Sequence, residues 1–311
     1  MIRRLSALLF LGAFLMAGCG SNSAPQANIT QPGLTTPALL SLANSEASDH
    51  AWSKDAVAKI KTAVLLAQAS SAESTGDSAA AASLYAQALK AADRAWSRDA
   101  NAKIKNTVLL AQAASAQARG DTKTAANLIT QASKQADHAW SRDAVAEIRA
   151  SVDLQQASTL DQSGSATAAG AFYADALKQA KDQAWSKDTV AEINAAVYLT
   201  EAHFADARKQ DSTALYAKVE KAANDQAWSK DAVAEIRATA LISRAVSLDS
   251  SRPADALLLF SDAQKQAGNA WSKDSEATIR SNVLLARYSL LDSTDTRQIS
   301  LMLLFQDTDA D

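Results

Sequence analysis

Apolar and polar positions repeat along this 311-residue chain with a period of 43–45 residues. Counting from each of the six tryptophans, the eighth place is always isoleucine, the twelfth is almost always valine and the fourteenth is almost always leucine. At 100° per residue the fifth, eighth and twelfth places form one apolar stripe, and the sixth, fourteenth and seventeenth places form a second. Two stripes on one helix predict that it packs on both sides, as an interior helix of a stacked array does.

A five-residue signature, Ala-Trp-Ser-Lys/Arg-Asp, precedes or opens each of these helices. Its serine is a good N-cap, and its aspartate at N2 suits the positive end of the helix dipole. We expect Trp52, at N′, to fold onto Val57 at N4 as a hydrophobic staple, and the tryptophans to be buried between neighbouring repeats. On this interpretation Trp140→Ala costs roughly 3–5 kcal/mol of stability. The alternative is an exposed aromatic ladder that stacks on sugars. The signature holds every tryptophan of the chain: Trp52, Trp96, Trp140, Trp185, Trp228 and Trp271.

The recurring aspartate is not explained by pairing within its own helix. Asp55 has Lys59 four residues on, a favourable spacing, but Asp143 has Glu147 at the same spacing, which repels. Because the aspartate is present in both cases, we expect it to serve the helix dipole or to bond to the neighbouring repeat.

A second helix follows Gly76-Asp77 and is predicted from Ser78 to about Ala92. Its glycine, alanines and aromatic residue resemble the second helix of the tetratricopeptide repeat. The residues that carry this resemblance are Gly76, Ala81, Tyr85, Ala88 and Leu89, and again Gly164, Ala169, Tyr173, Ala176 and Leu177. The repeat here is longer than the usual 34 residues of that family, so HEAT-like hairpins, which share the longer period, remain the alternative.

The predicted fold is all-α: one domain, residues 37–306, forming a right-handed α–α solenoid of about five and a half helical hairpins. The scarcity of glycine (9) and proline (4) argues against a β-rich fold with many tight turns. A leading helix from Pro37 to about Asp49 is expected to cover the first full repeat. A short closing helix is expected from Asp295 to Phe305, followed by a disordered acidic tail at 307–311.

The N-terminus has the features of a secretory signal. Arg3 and Arg4 precede an apolar run that is too short to span a bilayer, which needs about 20 residues. Leu15-Met16-Ala17-Gly18-Cys19 then resembles the lipobox of bacterial lipoproteins. The resemblance implies a signal peptide at 1–18 and acyl lipid, such as palmitate, on Cys19, the only cysteine. Residues 19–36 are expected to be a flexible tether, and Gly20 after the cysteine favours the outer membrane, facing the periplasm.

The sequence contains no phosphate-binding loop, nucleophile elbow or histidine–carboxylate set. The three histidines, His50, His138 and His203, have no companion at metal-ligand spacing. A formal charge of −3 makes nucleic acid an unsuitable ligand. We therefore expect no enzymatic activity, no cofactor or metal and no small-molecule substrate.

One line of basic residues on the first helices is a candidate partner-binding surface. Its members are Arg98, Lys105, Arg142, Arg149, Lys230, Arg237 and Arg280. They are consistent with a solvated surface that keeps the protein soluble, or with a docking strip for an acidic partner segment or an anionic envelope glycan. The expected function is that of a lipid-anchored envelope scaffold that binds a protein or peptide. The alternative is a glycan-binding, cell-wall-binding or spacer lipoprotein.

Overall fold

The computed structural model describes residues 36–248 and 252–293, and within these ranges the chain is helical with no strand. The predicted signal peptide, Cys19, nearly all of the tether, the closing helix and the acidic tail lie outside the described residues. None of the described helices combines the length and the apolar character needed to cross a bilayer.

Twelve helices within the described residues alternate between an inner and an outer layer. They are α1 Thr36–Ser45, α2 Lys54–Ser74, α3 Ser78–Ala92, α4 Arg98–Ala118, α5 Thr122–Ser133, α6 Arg142–Gln162, α7 Ala166–Gln183, α8 Lys187–Ala207, α9 Thr213–Lys221, α10 Lys230–Ser247, α11 Pro253–Ala267 and α12 Lys273–Ser293. The even-numbered helices, which follow the signatures, are inner, and the odd-numbered helices are outer. Three outer helices continue into a short segment of different helical geometry. Glu46–His50 and Ala222–Gln226 are π-helical, and Lys134–His138 is a 3-10 helix.

The inner helices begin where the sequence predicts. The Ser53 hydroxyl accepts a hydrogen bond of 3.0 Å from the Ala56 N–H, and the signature serine caps the other five inner helices in the same way. The outer helix α3 is capped by Asp77, which accepts from the Ala80 N–H at 2.9 Å. Each serine or aspartate thereby satisfies a backbone donor that has no partner within its helix.

The array of hairpins closes on itself, so the predicted solenoid is a ring and not an open spiral. Each inner helix packs on the next, and α12 packs on both α2 and α1. Ala47 after α1, Ile60 of α2 and Ala277 of α12 form one buried cluster, and Leu39 of α1 packs with Tyr288 of α12 in another. The leading helix is therefore the outer helix of the sixth hairpin, which the first segment of the chain completes.

Both predicted apolar stripes are buried. In the third repeat, Ala146, Ala150 and Leu154 of α6 pack against α7 and against Ile193 and Val197 of α8. The isoleucine eight residues after each tryptophan is buried in all six inner helices. Each inner helix thus has an outer helix behind it and an inner helix on either side.

The expected burial of the tryptophans is wrong. All six indoles are 79–84% exposed, so they neither staple the helices nor separate the repeats. The alanine before the tryptophan faces the interior instead: Ala51 and Val57 pack against one buried cluster, and Ala139 and Val145 against another. Because this small side chain fills the space over the first turn, the larger indole next to it stays in solvent.

Candidate functional site

A ring of aspartates joins the six repeats at one end of the molecule. Asp55 Oδ1 accepts hydrogen bonds from the backbone N–H groups of Trp96 (2.6 Å) and Ser97 (3.0 Å) in the next repeat. The predicted bond to the neighbouring repeat is thereby confirmed. Asp99, Asp143, Asp188, Asp231 and Asp274 make the equivalent pair of bonds. At Asp99, burial raises the carboxyl pKa, but the N–H donors of the next signature outweigh it and leave the pKa lowered.

The six exposed indoles lie around the same end, and we call them the tryptophan rim. Basic residues of the signatures lie between them: Lys54 Nζ is 5.9 Å from the ring centre of Trp96, and Lys187 Nζ is 4.5 Å from that of Trp228. The equivalent contacts join Arg98 to Trp140 at 5.9 Å and Lys230 to Trp271 at 5.4 Å. These distances are within cation–π range. The rim is therefore apolar and cationic on a protein that is acidic overall.

The predicted line of basic residues is divided between two locations. Arg98, Arg142 and Lys230 are exposed on the rim. The others lie one to two helical turns further along their helices and contact polar side chains. Lys105 pairs with Asp93 at 2.7 Å, and Arg149 donates to Gln183 at 2.7 Å. Arg237 donates to Asn224 at 2.5 Å, and Arg280 pairs with Glu276 at 2.5 Å. Arg280 thus pairs within its own inner helix, and Arg98 donates to the His138 carbonyl at 2.5 Å. Arg142 and Lys230 have no hydrogen bond or ion pair in the part of the chain that the structure describes.

A central cavity of about 370 Å³ lies between the N-terminal halves of the inner helices, at the same end as the tryptophan rim. One place in the repeat, seven residues after each tryptophan, contributes a side chain to the lining from all six inner helices, and we call these six residues the axial ring. The axial ring consists of Lys59, Lys103, Glu147, Glu192, Glu235 and Thr278. Alanine and isoleucine side chains, including Ala100 and Ile148, form the apolar walls between these groups.

The charges of the axial ring pair unevenly. Lys103 Nζ lies 3.0 Å from a Glu147 carboxylate oxygen, and Lys59 Nζ lies 3.9 Å from one of Glu235. Glu192, between the two paired glutamates, has no hydrogen bond or ion pair within the described part of the chain. Burial, and then repulsion from Glu147 and Glu235, raises the pKa of Glu192 to about 8.

Polar atoms without partners also lie next to the cavity. Thr62 and Asn106 line it, are only 1% and 2% exposed, and have a hydroxyl oxygen and an amide oxygen that accept no hydrogen bond from the described residues. By contrast, the Lys103 side chain keeps 42% of its accessible surface although protein surrounds it. The exposure of Lys103 follows if the cavity is a solvent-accessible chamber into which this side chain points. The Thr62 and Asn106 oxygens have almost no accessible surface and lie behind its wall.

Other candidate chemistry is limited within residues 36–248 and 252–293. No group of three His, Cys, Asp or Glu side chains there is arranged to hold a metal ion. Burial lowers the pKa of His203 to about 4, which keeps this imidazole neutral at physiological pH. His50 Nδ1 lies 3.2 Å from a Glu46 carboxylate oxygen, and the His50 side chain is 46% exposed.

Sequence reasoning missed the axial ring because it compared these lysines and glutamates only with the aspartate in their own helix. Their shared place in the repeat was a usable signal, since a place that carries only charged or hydroxyl groups between two apolar stripes must face solvent or a chamber. No protein-family model and no curated protein matches this chain. The proposals below therefore stand on the geometry of the rim and the cavity.

Proposed function

We propose that the protein is a lipid-anchored envelope protein, attached at Cys19, that acts as a non-enzymatic scaffold and binds a partner protein through its tryptophan rim. The observation that carries this proposal is the exposure of all six indoles at one end of the ring. Large apolar side chains exposed as a group mark interaction sites on soluble proteins.

The composition of the rim favours a protein partner. Tryptophan and arginine are the residues most enriched among those that dominate the binding energy of protein interfaces. The net negative charge of this protein repels an acidic partner segment, but the basic residues between the indoles attract it to the rim. A partner segment that combines acidic and apolar side chains therefore fits the rim.

The test begins with crosslinking in intact cells and identification of the crosslinked protein. Its affinity is then measured with purified wild-type protein and with the double variant Trp140→Ala/Trp185→Ala. We expect the dissociation constant to rise at least tenfold, because hot-spot truncations cost about 2 kcal/mol or more. Leu258→Ala is the control, since this side chain is 62% exposed on α11, away from the rim. Unchanged affinity in the double variant would exclude the rim as the binding surface.

A second candidate function is binding of cell-wall glycan, which the same exposure favours. Indole faces stack on sugar rings as well as on protein side chains, and the rim presents six of them. Cosedimentation with purified cell-wall sugar separates the two candidates: retention of wild-type protein and loss of retention in the double variant would support glycan binding.

The envelope location and the finer description of the fold are also proposals. The lipobox-like residues before Cys19 support lipidation and an outer-membrane position facing the periplasm. Cys19→Ser should release the protein from the membrane fraction and abolish labelling by palmitate; retention of the label would refute the anchor. The residues shared with tetratricopeptide repeats support a right-handed sense of the hairpins.

A further inference from the structure

The axial ring contains one carboxylate more than its two lysines compensate. Lys103 and Lys59 each pair with a glutamate of the axial ring, while Glu192 is left without a partner among the described residues. The sixth position of the ring is Thr278, which carries no charge. A cation that entered the cavity would therefore complete the charge balance.

The rest of the lining indicates what kind of cation fits. The Thr278 hydroxyl lines the same cavity and adds one hydrogen-bond acceptor to the two oxygens of the Glu192 carboxylate. A primary ammonium group has three N–H donors and no acceptor, which matches this set. The alanine and isoleucine walls suit an apolar body, and about 370 Å³ lies at the lower end of the size range of small-molecule sites.

We propose that the central cavity binds a small primary amine, in its ammonium form and with an apolar body, and that Glu192 is the residue that holds its charge. This site is separate from the rim surface of the proposed function, so either proposal can fail without the other.

Binding is coupled to a proton. Glu147 of α6, Glu235 of α10, Lys103 of α4 and Lys59 of α2 are the charged groups that act on Glu192, and burial with the two glutamates keeps its pKa near 8. The ring aspartates that also line the cavity, including Asp99, are held by backbone N–H groups of the next repeat. Amine binding therefore requires the ionised form of Glu192, and near pH 7 it releases close to one proton.

The experiment is calorimetric titration of the purified protein with n-butylammonium chloride at constant ionic strength. Because only the ionised fraction of Glu192 is competent, the dissociation constant should be about 90-fold higher at pH 6 than at pH 9. Titrations at pH 7 in two buffers of different ionisation enthalpy should show the release of about one proton. No binding at pH 9, or equal affinity at the two pH values, would overturn the proposal.

Variants and competing probes locate the site. Glu192→Gln should weaken butylammonium binding at pH 9 more than tenfold and remove its pH dependence. Glu220→Gln, the same change on an outer helix, should leave binding unchanged. If Glu192→Gln does not fold, the pH series on the wild-type protein decides alone. Binding of butyrate in place of butylammonium, or equal competition by sodium ions, would contradict an ammonium site.

Discussion

Asp274 Oδ1 accepts a hydrogen bond of 2.7 Å from the backbone N–H of Trp52, a residue 222 positions earlier in the chain. The bond is the same one that joins each repeat to the next, as between Asp143 and Trp185 at 2.5 Å. The first and last repeats are therefore joined by the same aspartate-to-backbone hydrogen bond that joins every other pair of neighbouring repeats. The contact that closes the ring uses the same residue types as the other contacts.

This equivalence predicts that Asp274→Ala and Asp143→Ala destabilise the protein by similar amounts. Each change removes a carboxylate that accepts two backbone N–H bonds, and we expect a loss of about 2–3 kcal/mol by chemical denaturation. Asp225→Ala, at an exposed position, is the control and should be neutral. An open array would instead show no effect of Asp274→Ala, because its partner would be absent.

Replacement of a rim tryptophan should cost little stability. Trp140 is 81% exposed, so Trp140→Ala removes only a cation–π contact with Arg98 and should cost less than about 1 kcal/mol. Ile148→Ala, at a fully buried position of the same repeat, should cost about 2–5 kcal/mol. Denaturation followed by circular dichroism measures both, and a loss for Trp140→Ala as large as that for Ile148→Ala would mean that the indole is buried.

The role of α1 as the outer helix of the last hairpin can be tested with two leucines. Leu39 is 1% exposed and packs in a cluster with residues of α2, α11 and α12, while Leu42 on the same helix is 40% exposed. We expect Leu39→Ala to cost about 2–5 kcal/mol and Leu42→Ala to cost much less. Equal small effects in thermal denaturation would show that α1 is not docked.

Glu192 should make the protein less stable as the pH rises. Its pKa is about 8 in the folded protein against an ordinary value of 4.5, so the unfolded chain releases this proton first. The stability contributed by the protonated form is full below pH 4.5 and is lost as the pH rises through 8. Glu192→Gln should therefore match the wild type at pH 4 and exceed its melting temperature at pH 8. The same difference at both pH values would contradict a raised pKa.

One turn between helices carries backbone strain that a substitution can relieve. Gly76, Gly120 and Gly164 adopt φ of 81–83° after their inner helices, and Lys209 adopts φ of 57° at the corresponding place. Since this left-handed region costs a non-glycine residue about 1–2 kcal/mol, Lys209→Gly should stabilise the protein by about 1 kcal/mol. Gly120→Ala should destabilise it by a similar amount. Destabilisation by Lys209→Gly, or stabilisation by Gly120→Ala, in urea denaturation would refute the strain.

Local features of the fold could be read from the sequence. The serine caps, the start of α2 at Lys54 and the span of α3 were predictable because they depend on residues a few positions apart. The bond of the signature aspartate to the next repeat was also predictable, because charge pairing within the helix failed to explain it. The predicted burial of Trp52 was wrong, because hydrophobicity alone does not say which of two adjacent side chains fills a site.

Closure and the central cavity could not be read in the same way. Whether six hairpins form a spiral or a ring depends on a small rotation per repeat, which accumulates from the sizes of many packed side chains. Glu192 faces a central cavity only because the six inner helices form a closed ring, so its position could not be predicted before closure was known. The sequence did contain a hint, since the leading helix from Thr36 had no inner partner of its own.

The pairing of α1 with α12 also affects how the protein is made. Domains generally fold from the N-terminus as the chain emerges, yet α1 has its main partner, α12, five hairpins later in the chain. A chain that lacks α12 is therefore an open arc with an exposed apolar face at each end, and these faces stay exposed until α12 has been synthesised. Truncated or stalled products should accordingly be prone to aggregate or to join end to end.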